Sequence, residues 1–175
     1  MSKLIQRRRA AALLLLLAPL GAALAQPVRA WPARPLRIVV AYPPGGISDA
    51  VARALADKLS AQLGTPVVVE NRAGAGGSIG MDAVAKAPAD GYTLGFSSIS
   101  PLALNPHLGK QAYDPARDIA PLASVMYSPV VLLATPAFAG KDFKDLLAAA
   151  KARPGGLRWS TSGLATVGHL VLEQV

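Results

Sequence analysis

Two glycine-rich segments, YPPGGISD (Tyr42–Asp49) and ENRAGAGGSIG (Glu70–Gly80), each stand between an apolar β-like run and a helical pattern. A strand that ends in glycines and then opens a helix leaves backbone N–H groups exposed at the positive end of a helix dipole, where an anion can sit. Two such turns close together in one chain suggest a single small anionic molecule held between them.

The flanking residues support this organisation. Leu36–Ala41 reads as a mostly buried strand. Val51, Ala52, Leu55, Ala56, Leu59 and Leu63 mark one helical face, stopped by Gly64 with Pro66 beyond. Val67–Glu70 reads as a second strand, Ser78–Ala87 as a second helix and Thr93–Ser97 as a third strand. This alternation predicts a parallel sheet with right-handed crossovers, and both turns fall at the carboxyl ends of strands, where ligands bind in such sheets. From Ser98 prolines punctuate the chain, which suits a domain crossing. Short strands are predicted at Ala120–Met126, Val130–Thr135 and Leu157–Ser160. A helix is predicted over Lys141–Arg153, capped by Asp142, with Phe143, Leu146, Leu147 and Ala150 on its apolar face. Thr161-Ser162-Gly163 forms a third polar turn before an apolar helical pattern that contains His169.

The first residues are set apart from the fold. Lys3 and Arg7 to Arg9 precede an apolar run from Ala10 to Leu20, and Ala23-Leu24-Ala25 supplies the small residues of a cleavage site. This reads as a general secretion signal cut after Ala25; the apolar run is short of the roughly 20 residues that span a bilayer. Of 18 Lys and Arg against 10 Asp and Glu, four cations lie in this leader, so the remainder carries 14 against 10. Those cations are scattered singly, which argues against nucleic acid as a partner. There is no cysteine, and an exported chain of this kind must rely on an ordinary core. Only nine aromatics occur, dispersed, which argues against an aromatic cage and favours hydrogen bonding to a polar or anionic ligand.

The chemistry of the motifs is that of binding. In the first turn Pro43 and Pro44 stiffen the exit from the strand, Gly45 and Gly46 permit close approach, and Ser48 or Asp49 can cap the helix. The same turn can also be a tight connection that binds nothing. The second turn does not match a dinucleotide fingerprint, because Ile79 stands where the last glycine is needed, nor a phosphate loop, because Met81 follows Gly80. It reads as a generic anion nest with Ser78 as helix cap. Asn71 and Arg72 either orient the loop or face the ligand, and Ser97, Ser98 and Ser100 can offer hydroxyls to the same crevice. His107 and His169 lie far apart, neither with a carboxylate or second ligand at metal spacing, and no GxSxG elbow supplies a nucleophile. No metal, cofactor or catalytic residue is therefore expected.

From Pro35 onward the chain resembles the periplasmic solute receptors of tripartite tricarboxylate transporters, the Bug or TctC family. The likeness is carried by PARPLRIVV, YPPGGISDAVAR, LGTPVVVENRAGAGGSIG, the DGYTL turn at Asp90–Leu94, Asn105-Pro106, YDPARDIAP at Tyr113–Pro121 and STSGLATVGHL at Ser160–Leu170. The resemblance implies an α/β periplasmic-binding-protein-like fold, a type II Venus flytrap. Its first domain would span 26–98 and its second 99–175. It implies a monomeric receptor, not an enzyme, that captures a small organic carboxylate through backbone amides and delivers it to integral-membrane permease subunits. Carried over residue by residue, it implicates Gly45, Gly46, Ser48 and Asp49 from the first turn, Gly74, Ala75, Gly76 and Ser78 from the second, and Thr161, Ser162 and Gly163 from the facing domain; Ser97 and Ser98 join these from the strand-end reading. Arg53 belongs to the first block and can serve as a brace. Family members run about twice as long, so the chain is expected to be a fragment, incomplete at the C-terminus, with part of its cleft wall missing and binding impaired. A periplasmic hydrolase or transferase using the same nest for an oxyanion, or a sensor that presents a bound acid, are the other functions compatible with these residues.

Overall fold

The computed structural model describes residues 30–174, so the predicted export signal and its cleavage site lie outside the described residues. Contacts divide the chain at Ala33–Arg34, and the second unit carries every element below. Among the described residues no helix is long and apolar enough to cross a membrane.

The first strand, β1, spans Leu36–Val40 and is flanked in parallel by β2 (Val67–Asn71) and β3 (Thr93–Phe96), giving the order β2-β1-β3. Register pairs Ile38 with Val69 on one side and with Leu94 on the other. A central parallel strand is covered on both faces, which is why LRIVV is apolar at nearly every position. Leu36, Ile38, Val39 and Val40 are fully buried, each worth about 1.5–3 kcal/mol of apolar transfer.

Helix α1 (Ile47–Leu63) joins β1 to β2, and α2 (Ser78–Ala85) joins β2 to β3. Because β2 and β3 lie on opposite sides of β1, right-handed crossovers put the two helices on opposite faces. The packing agrees: Ala52 and Ala56 of α1 meet Ile38, Val40 and Phe96, whereas Met81 of α2 meets Ala41 and Tyr113. Gly64 ends α1 in the left-handed region, φ 63°, as predicted. Ser60 ties the helix to the sheet: its hydroxyl donates to the Ala56 carbonyl at 2.7 Å and accepts the Val67 N–H at 2.9 Å.

Beyond β3 come a wide turn at Ser100–Leu104 and four helices: α3 (Asn105–Leu108), α4 (Pro115–Asp118), α5 (Phe143–Ala152) and α6 (Val167–Glu173). Asp142 caps α5 as predicted, accepting the Asp145 N–H at 3.0 Å. Phe143, expected on the buried face of that helix, is exposed, and Leu146 alone of the four predicted apolar positions is fully buried. The strands predicted at Ala120–Met126, Val130–Thr135 and Leu157–Ser160 are not formed; the sheet of the described residues has three strands. Their composition favours extended backbone, but a strand exists only where another supplies its hydrogen bonds, and the aliphatic run from Val130 to Leu133 lies exposed.

Candidate functional site at the strand ends

The order β2-β1-β3 reverses direction beside β1, so the exits of β1 and β3 flank the topological switch point, the usual crevice of such sheets. After β1, the Ala41 N–H still bonds the Phe96 carbonyl at 3.1 Å. The chain then turns through two prolines to Gly45 at φ +84°, whose open side has nothing within 4 Å of a built Cβ. Gly46, in extended conformation, is the N-cap of α1, and no side chain caps this end. This corrects the expectation that Ser48 or Asp49 is the cap residue: glycine takes that position and offers no side-chain acceptor. The N–H groups of Ile47 and Ser48 fall in the first helical turn, where no intrahelical acceptor exists.

Asp49 turns inward instead. Only 5% exposed, its carboxylate accepts from the Gly45 N–H at 2.9 Å, Asn71 Nδ2 at 2.9 Å, Arg53 Nε at 3.1 Å and Arg53 Nη2 at 2.9 Å. Arg53 foremost, then the Gly45 amide and Asn71, lower its pKa from 3.8 to about 2. With its acceptor positions taken and its charge paired, Asp49 holds the turn and has little left to offer a ligand. Asn71 completes the brace by donating to the Tyr42 carbonyl at 3.1 Å and accepting from Arg53 at 3.1 Å. Arg72, at the same strand end, bonds Glu70 at 2.6 Å, and Arg37 bonds Glu70 at 3.1 Å; these partners, Arg72 first, hold the Glu70 carboxyl below its usual range. Arg37, Arg53 and Arg72 are thus each matched to a carboxylate, which leaves the main-chain dipoles of the helix starts as the groups here that favour negative charge.

The second turn is held in unusual backbone. Ala75, Gly76 and Gly77 have φ of +47°, +60° and +97° in succession, and Ala75 does so with a side chain. Gly77, not Ser78, is the N-cap of α2, and Ser78 is already helical. The Gly77 N–H donates to the Gly74 carbonyl at 2.9 Å and closes this curl. The carbonyl side of this curl faces Asn105, which is 2% exposed: its Nδ2 donates to Ser78 Oγ at 2.8 Å, to the Ala75 carbonyl at 3.1 Å and to that of Gly76 at 3.4 Å. Gly74 is overlaid by the Ile79 side chain and Gly76 by the backbone of Ala165. On its other side the turn stays accessible: Gly74 and Ala75 are exposed and Gly76 is half-buried, whereas Gly77 is buried.

The third turn reaches the second. Ala165 adopts φ +58°, and Thr166 caps α6 by accepting the His169 N–H at 3.3 Å while donating to the Gly163 carbonyl at 2.7 Å. Thr161 sets its hydroxyl against Gly168, and Ser162 is exposed. The exit of β3 joins the turns: Ser98 shares a hydrogen bond with the Tyr42 hydroxyl, and buried Ser100 accepts from Ser98 at 3.4 Å and from the Val167 N–H at 3.3 Å. Ser97 Oγ is buried without a partner among the described residues. Tyr113, whose phenol burial pushes its pKa up, donates to the Pro101 carbonyl at 2.7 Å.

A cavity of about 210 Å³ opens where the second and third turns meet, lined by Ala75, Ser78, Asn105, Gln111 and Ala165 among others. Drug-sized ligands occupy roughly 300–1,000 Å³, so only a smaller molecule matches this space. A recess of about 120 Å³ at Ala150, Arg153 and Trp159 contains none of the predicted site residues. His169, expected to lack a carboxylate neighbour, has Glu173 at 3.4 Å from Nε2, one helical turn on, yet among the described residues no group of three metal-ligating side chains gathers. Asn105 and Tyr113 escaped prediction as site residues because their contacts reach back to the second turn and to Pro101, and Gln111 because it acts on Asn105; the Asn-Pro pair was the sole local mark at 105.

Comparison with known proteins gives this geometry a family. The model of the tripartite tricarboxylate transporter family receptor, TctC, matches residues 51–175. Protein BugT of Bordetella pertussis is 46% identical over 156 residues, covering 87% of this chain and 48% of the relative. Among solved structures, an R. palustris protein with adipate is 33% identical at TM-score 0.65, covering 82% of this chain and 48% of that one. MatC from Rhodopseudomonas palustris with bound malate is 34% identical at TM-score 0.63, covering 70% and 42%. The chain spans about half the length of the curated relatives it matches. Its architecture is that of the matching part of these periplasmic binding proteins. The converging glycine turns, the parallel sheet that presents them and the matched sequence blocks together make this chain a member of the TctC receptor family.

Proposed function

We propose that this chain takes part in the capture of a small organic carboxylate outside the cytoplasm, for delivery to an integral-membrane permease. The observation that carries the reading is the start of α1, where Gly46 is the N-cap, no side chain caps the helix and the Cβ side of Gly45 is open, so the first-turn N–H groups have neither an intrahelical nor a side-chain cap acceptor. Gly46, Ile47 and Ser48 from the first turn and Ala75 and Gly76 from the second supply donors to a carboxylate, with Ser98, Thr161, Ser162 and Gly163 nearby to engage the rest of the molecule. The relatives solved with adipate and malate support a dicarboxylate as the first class to test.

Residues 26–98 contribute to one lobe of the receptor and 99–175 to the other, and the receptor acts as a monomer. Since the relatives are about twice as long, further wall for the cleft comes from sequence of the kind they carry beyond the matched region. This chain by itself is expected to bind more weakly than a full-length relative. Titration calorimetry with malate, adipate and succinate tests the reading. Measurable saturable heat with at least one acid, absent for an uncharged diol of equal length, is expected; no binding by either this chain or a full-length relative contradicts it.

A further inference from the structure

Asn105 makes an arrangement that packing alone does not account for. It begins a four-residue helix far along the chain from the second glycine turn, yet its side chain lies buried against that turn and donates to Ser78 Oγ, the Ala75 carbonyl and, at longer range, the Gly76 carbonyl. Its own Oδ1 is buried with no partner among the described residues. Buried amide oxygens ordinarily find a donor, so an asparagine chosen for stability alone would turn this oxygen to water. Rotating the amide by half a turn would set Oδ1 against carbonyl oxygens, so the observed orientation is dictated by the turn. The position is itself secured, because Gln111 Nε2 donates to the Asn105 carbonyl at 2.9 Å and to that of Gly109 at 3.0 Å.

We propose that Asn105 is the positioning residue of the second turn: by holding the Ala75 carbonyl inward it keeps the Gly76 N–H, on the opposite edge of the same trans peptide, outward where a carboxylate meets it, and by holding the Gly76 carbonyl it fixes the Gly77 N–H that closes the turn on the Gly74 carbonyl at 2.9 Å. This rests on the carboxylate reading above and adds a residue to it. The side-chain-bearing Ala75, at φ +47°, is where the need is greatest, since left-handed backbone is unfavourable for an alanine unless its surroundings hold it there. Asn105 touches the far side of the peptide groups that would meet the ligand, so it acts through them.

Two variants of the full chain test this, Asn105→Ala and the near-isosteric Asn105→Asp, which preserves volume and removes the donor. Backbone ¹⁵N heteronuclear relaxation is read at Ala75, Gly76 and Gly77, with Ile47 as the internal control, beside calorimetric titration with malate and adipate. The expected result is a local loss of order at residues 75–77 with Ile47 unchanged, and affinity lowered at least tenfold. If Asn105→Ala loses its cooperative melt, Asn105→Asp decides. Retained order at the turn together with affinity within twofold of the parent overturns the proposal. Should the parent chain and a full-length relative bind neither acid, the carboxylate reading falls, while the relaxation measurement still decides whether Asn105 sets the turn.

Discussion

Gly76 lies against the carbonyl of Ala165: a Cβ built on it would stand 2.6 Å from that oxygen and 3.0 Å from Asn105 Nδ2. Two turns distant in sequence therefore share one contact in which only a hydrogen fits. The glycine at 76 is required both by this approach and by its φ of +60°, whereas Gly45, at φ +84°, faces empty space.

Alanine at these two positions separates packing from backbone preference. Gly45→Ala is expected to cost about 1–2 kcal/mol, from left-handed backbone alone. Gly76→Ala adds the clash with Ala165 and should cost about 1–3 kcal/mol more. Urea denaturation measures both, and equal losses would show that the third turn does not sit on the second.

Gly80 is the contact by which α2 approaches β1. A Cβ there would meet Ala41 Cα at 2.7 Å and the Arg72 carbonyl at 2.8 Å, both backbone. Neither neighbour can rotate away, so Gly80→Ala is expected to lower stability by about 1–3 kcal/mol despite the better helix propensity of alanine. A stabilised variant in thermal melts would contradict the close approach.

The Asp49 brace gives the fold an acid-sensitive element. Its pKa is lowered in the folded chain to about 2 from 3.8, so its stabilising contribution is present above pH 3.8 and is lost as pH falls toward 2. Asp49→Asn should flatten the stability profile across that interval, because a neutral amide has no proton to take up. Glu70, also lowered, contributes in the same direction and remains in the variant. Denaturation midpoints measured from pH 5 to pH 2 check this, and an unchanged acid limb would exclude Asp49 as its source.

Ser100 joins the exit of β3 to α6 by accepting the Val167 N–H. Ser100→Ala leaves that amide without its acceptor and should cost about 1 kcal/mol, the usual worth of such a bond. Hydrogen exchange at Val167 should accelerate while exchange in β1 changes only by the global loss. Unaltered protection at Val167 would mean the link is not maintained in solution.

The legible parts of this fold are those with local causes. Leu36–Val40 is covered on both faces and so is apolar at every position but Arg37; Gly64 and Pro66 close α1; Asp142 caps α5; and the glycines at 45, 74, 76 and 77 mark backbone that side chains resist. What escaped depends on distant partners. The Val130–Leu133 run has strand composition but no neighbouring strand to pair with among the described residues. Ser78 has the chemistry of a cap, yet Gly77 takes that place because its φ of +97° suits glycine. Asp49 looks like a ligand contact by its position in the first turn, but Arg53 and Asn71 occupy it. Asn105 had no periodicity or spacing to reveal it, because its role exists only once the second turn is folded against it.

If main-chain N–H groups at the strand ends grip the carboxylate, amide chemical shifts report on those groups directly. Titrating the ¹⁵N-labelled full chain with malate and adipate should move the amide resonances of Gly46, Ile47, Ser48, Ala75 and Gly76 most, with the Gly45 amide, already bonded to Asp49, moving less. Saturable shifts confined to the recess at Ala150, Arg153 and Trp159, with the turns silent, would contradict it.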